Sequence, residues 1–105
     1  MPDAWLYKAT TAYGIEDQVE RQAVAHELFE RLRTLLLSFD SDTGNARMKA
    51  VHVFDSSHLV KLEAANPGDS RNSGDWINEI HPNRSGYKKL AAQIGPWLTE
   101  VINRY

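Results

Sequence analysis

The residue pattern predicts an α/β chain: the closing portion of a doubly wound, three-layer domain, with two long amphipathic helices flanking a short parallel sheet. Three observations carry this. Residues 15–38 place apolar side chains at helical steps, residues 84–104 do so again, and between them Ala50-Val51-His52-Val53-Phe54 is β-branched, aromatic and nearly continuous in apolarity. A buried parallel strand has that composition. The order helix, strand, polar loop, helix suits the end of such a domain. A single strand is little sheet for an independent domain, so the 105 residues read as one partial domain.

Met1 to Gly14 reads as a short, irregular aromatic lead-in, with Trp5, Leu6, Tyr7 and Tyr13 as anchors and Gly14 as a turn. In the first helix Val19, Ala23, Val24, Leu28, Leu32, Leu35 and Leu36 form one stripe. Glu16 and Asp17 sit in its first turn, where the helix dipole favours negative charge. Asp40-Ser41-Asp42-Thr43-Gly44-Asn45 is a turn cluster. The strand ends on Asp55-Ser56-Ser57, and open α/β sheets place their sites at the carboxyl ends of strands. Asp55 suits either support of a site loop or a helix cap. Residues 58–64 fit a short helix or a strand, and 66–74 form a loop by composition. In the last helix Tyr87, Leu90, Ala91, Ile94, Leu98, Val101 and Ile102 make the stripe. Pro96 lacks an amide donor and clashes one turn back, which predicts a kink or break at Gly95-Pro96.

Composition narrows the function. The formal charge is −2 with a pI near 6.0, and no basic stripe occurs, so nucleic-acid binding has little support. There is no cysteine, which removes disulfides, thiolate catalysis and Cys-type zinc sites and fits a reducing, cytoplasmic setting. Leu35-Leu36-Leu37 is far short of the roughly 20 apolar residues a membrane span needs. No signal peptide is readable at Met-Pro-Asp-Ala-Trp. The apolar fraction of 42% is enough for a modest core. His26, His52 and His58 lack any HExxH or paired i, i+4 spacing, so structural or solvent-facing roles are expected and no metal or other cofactor is implied.

Chemistry concentrates in Asp75-Trp76-Ile77-Asn78-Glu79-Ile80-His81-Pro82-Asn83-Arg84-Ser85-Gly86-Tyr87. His81, followed by a proline and a helix entry, is of the residue type that most often serves as a general base. The run resembles the last sequence block of the SGNH (GDSL-type) serine hydrolases, D-x-x-H-P followed shortly by G-[YF]. The resemblance implies a flavodoxin-like α/β fold, cleavage of ester bonds by acyl transfer through a serine, and no cofactor. His81 takes the place of the family's base. Asn78 stands where the family has the aspartate that orients the base. An asparagine accepts the imidazole's hydrogen bond but cannot match a developing imidazolium with a full charge; in the serine-protease triad that exchange costs about 10⁴ in kcat. Asp75 and Glu79 are fallback acids at a spacing the family does not use. Gly68-Asp69-Ser70 spells the family's nucleophile tripeptide, but it follows Asn66-Pro67 in a polar loop rather than a buried strand, and reads as turn chemistry.

The expectation is therefore a C-terminal portion of an esterase- or lipase-like hydrolase that carries the base but not the nucleophile. Its partners would be a small-molecule ester once completed, and either a nucleophile-bearing N-terminal half or a second copy. The rival is a non-enzymatic α/β remnant serving as an assembly or interaction module. Two apolar stripes beside one strand also predict self-association.

Overall fold

The computed structural model describes residues 5–66, 71–78 and 80–105. Four helices follow in order: α1 (Trp5–Ala12), α2 (Gln18–Ser38), α3 (Ser56–Leu59) and α4 (Arg84–Ile102). Both long helices start where a side chain satisfies an orphan amide. Asp17 accepts the Glu20 N–H at 2.9 Å and Asn83 accepts the Gly86 N–H at 3.0 Å.

No sheet forms among the described residues, and this overturns the doubly wound α/β expectation. The only β-type pairings there are the isolated bridges Ser73–Trp76 and Trp76–Pro82. Ala50 opens the predicted strand in the left-handed region, at φ 59°, which a non-glycine residue enters at a cost. Val51–Phe54 follow as a half-buried run between α2 and α4 that pairs with no second strand. A strand exists by its ladder, and this run finds other partners. The Val53 N–H donates to Asp40 Oδ2 at 2.9 Å, and the Val51 carbonyl accepts the Ser41 N–H at 2.8 Å. Side chains still alternate as on a pleat. Phe54 meets Trp97 of α4 at 5.2 Å between centroids and His52 bonds Tyr105 at 2.7 Å, while Asp55 bonds Arg33 of α2 and Val53, with part of Phe54, lines the groove beside α2.

Two further expectations fail. Residues 5–12 are helical rather than irregular. Arg21 is buried and secures α1 to α2, donating to Ile15 O and Thr11 Oγ1 and stacking 4.2 Å over the Tyr7 ring. Tyr13, by contrast, is exposed. The second failure is the break expected at Pro96: α4 runs through it from Arg84 to Ile102. The proline Cδ crowds both the N–H and the Cβ of a preceding helical residue, and Gly95 has no Cβ to crowd.

Packing is thin. Among the described residues the buried apolar side chains are Val60 and Val101. The radius of gyration is 16.4 Å, against about 13 Å for a compact chain of this length. The extents are 48 × 31 × 16 Å, a slab one helix-and-segment layer deep. The α2 stripe stays exposed, with Val19 at 74%, Leu28 at 58% and Leu35 at 53%. The modest core expected from composition is not assembled by the described residues.

Candidate functional site

The segment before α4 is a tight double-bridged loop. Trp76 pairs with Ser73 on one side and Pro82 on the other, and the Ile77 N–H donates to His81 O at 2.8 Å. Asn78 organises its tip. Asn78 Oδ1 accepts the backbone N–H groups of Ile80 and His81, each at 2.9 Å, in an Asx turn. The same oxygen lies 3.1 Å from His81 Nδ1. The backbone donors fix which amide atom is oxygen, so the ring nitrogen facing it must be the donor. His81 is thereby held as the Nδ1–H tautomer, with Nε2 lone pair outward on an exposed ring. Among the described residues no hydroxyl bonds to Nε2. The pair expected from sequence, His81 and Asn78, is in contact; Glu79 and Gly68-Asp69-Ser70 lie outside the described residues.

Asp75 does not serve His81. Its side chain is the most deeply buried polar group described, 2% exposed, and its carboxylate accepts the Glu63 N–H and the Lys89 ammonium, both at 2.6 Å. Lys89, then the Glu63 amide and the Ser85 side chain, hold the Asp75 carboxyl down at about 2. Its backbone works as well: the N–H donates to Glu63 O at 3.0 Å, and the carbonyl accepts the Asn83 N–H at 2.8 Å. A Cβ on Gly86 would sit 2.4 Å from that carbonyl, so only glycine lets the first turn of α4 approach this closely. Asp75 thus clamps both stems of the histidine loop to residue 63 and to α4. The sequence hints at this brace only through an acid flanked by Gly74 and Trp76, and gives no sign of Lys89 and Ser85 as its partners.

The end of the predicted strand gathers a different cluster. Arg33 forks onto Asp55 with Nη2–Oδ2 at 2.6 Å and Nε–Oδ1 at 3.0 Å, which holds the Asp55 carboxyl below its usual range. Asp55 occupies the N-cap position of α3 without a capping bond from its side chain. It therefore docks the segment to α2, neither capping α3 nor supporting His81. Ser57 donates to Asp55 at 3.0 Å, and His58 faces Glu30 at 3.3 Å, so no serine–histidine pair forms there. His52 lies between Ser41 and Tyr105. Beside this cluster runs an open, mostly apolar groove of about 280 Å³ between α2 and residues 53–57. No helix among the described residues is long and apolar enough to cross a membrane.

No family model, curated protein or solved structure matches this chain.

Proposed function

We propose that this chain carries the base of an SGNH-type serine hydrolase acting on small ester substrates, and takes its nucleophile and oxyanion donors from another polypeptide segment. One observation carries the reading. The Asn78–His81 contact at 3.1 Å, across the three-residue spacing of the family's last block, fixes the tautomer a general base needs. His81 Nε2 would take the proton of the serine hydroxyl as it attacks the ester carbonyl, then return it to the departing alkoxide. Asn78 would orient the ring without charge compensation, so the site is weaker than one with aspartate. The absence of cysteine suits work in the cytoplasm.

The chain alone is expected to resist a fluorophosphonate probe and to hydrolyse p-nitrophenyl butyrate no better than free imidazole. Labelling of a serine in the isolated chain overturns the claim that the nucleophile lies elsewhere. When the chain is completed by co-expression with a Gly-Asp-Ser-bearing half, His81→Ala should lower kcat/KM by about 10²–10⁴ with an unchanged circular dichroism spectrum. Asn78→Asp should raise it. Parental kcat/KM in His81→Ala makes the histidine structural.

A second reading, an assembly module, is favoured by a specific observation. Phe29, Leu32, Leu35 and Leu36 are about half exposed along one helix, at 58%, 48%, 53% and 47%. Such a surface marks an association site in a stable protein.

A further inference from the structure

The Val51–Phe54 run has one edge largely satisfied within the chain and one edge that is not. Toward the 40–41 turn the Val53 N–H donates to Asp40 and the Val51 carbonyl accepts the Ser41 N–H, while the Val51 N–H turns back to the Met48 carbonyl. Residues 52 and 54 point the opposite way. There the His52 N–H, the His52 carbonyl and the Phe54 N–H have no partner among the described residues, although the run is half buried. Backbone groups in that setting are costly to leave unpaired, and a neighbouring strand satisfies them.

Resting on the assembly reading, we infer that this edge is a dimerisation site whose occupant is a second copy of the same edge, antiparallel across a two-fold axis at Val53. The pattern is self-complementary. The His52 N–H donates to the second copy's Phe54 carbonyl, the Phe54 N–H to its His52 carbonyl, and the axis repeats both. The Phe54 carbonyl already accepts the Ser56 N–H at 2.9 Å, and its second lone pair takes the new bond. A two-fold axis normal to the ribbon keeps both copies of α2 on one face, so Phe29, Leu32 and Leu36 beside the groove gain cover from the partner. A formal charge of −2 per copy opposes this weakly. His81 has no part in the contact: it precedes the first turn of α4, whereas residues 52–54 lie against Trp97 and Tyr105 at the other end.

Sedimentation equilibrium from low micromolar to about 100 µM, with residue-resolved amide exchange on the same samples, decides the matter. The expected result is a species of twice the 11.9 kDa chain mass. The His52 and Phe54 amides should exchange more slowly as concentration rises, while the Val53 amide is protected throughout by Asp40. Leu32→Glu and Phe29→Glu, at positions already about half exposed, should raise the dissociation constant at least tenfold without altering the helical spectrum. A dimer whose His52 and Phe54 amides exchange freely at every concentration overturns the edge pairing and spares the assembly reading. A single 11.9 kDa species throughout overturns both.

Discussion

Asp75 shows how one side chain can fix a loop that it does not otherwise resemble. Its carboxylate binds an amide twelve residues upstream and an ammonium fourteen residues downstream. The folded group releases its proton near pH 2 against an ordinary value of 3.8. A carboxyl depressed by folding contributes stability above its unfolded value and loses it as pH falls through the folded one. The contribution of Asp75 is therefore complete above about pH 4 and fades between about 4 and about 2. Asp40, held at about 2 chiefly by the Val53 amide, titrates in the same window, so the parent alone cannot separate them. Asp75→Asn does: its urea midpoint should fall below the parent's at pH 5, and the gap should close towards pH 2. A gap independent of pH means that the ionised carboxylate is not the source.

Pro96 makes a different case, because a helix accommodates a residue that ordinarily ends it. The missing N–H leaves the Ala92 carbonyl without its usual bond, and Gly95 relieves the clash on the preceding residue. Pro96 is exposed, so Pro96→Ala restores the bond at no cost in packing. Proline costs about 3 kcal/mol against alanine inside a helix, and part is offset by its stiffening of the unfolded chain. A gain of about 1–2 kcal/mol in urea unfolding is expected; no gain would mean that the ring contacts or Gly95 already remove the penalty. The two long helices were legible because an apolar stripe is a local signal; Asp17, read as a first-turn charge, is in fact the N-cap of α2, and Asn83 caps α4. Residues 50–54 were not legible as what they are. Val51 to Phe54 have strand composition and strand-like alternation, but pairing depends on a second strand that local composition cannot supply, and Ala50 turns left-handed before the run begins. The Asn78–His81 contact was expected from the resemblance to the SGNH family's last block. Asp75 as a buried brace depended on Glu63, Ser85 and Lys89, which only the folded path brings together.

The molecule as a whole is a slab only 16 Å through, with Val60 and Val101 as its buried apolar side chains among the described residues. Thinness of that kind has a calorimetric consequence. The heat capacity of unfolding comes mainly from apolar surface newly wetted, and typical domains gain about 1.2–1.5 kcal/mol/K per 100 residues. A chain that already wets its largest helix stripe has little left to expose. Scanning calorimetry at low concentration should give a heat-capacity step well below that range, a correspondingly small urea m-value, and a broad transition. Its stability should change little with temperature, curving only gently on cooling. As concentration rises and the stripes are covered, the step should grow toward the usual value; a full-sized step in the dilute monomer would mean that the slab buries far more than its exposed leucines suggest.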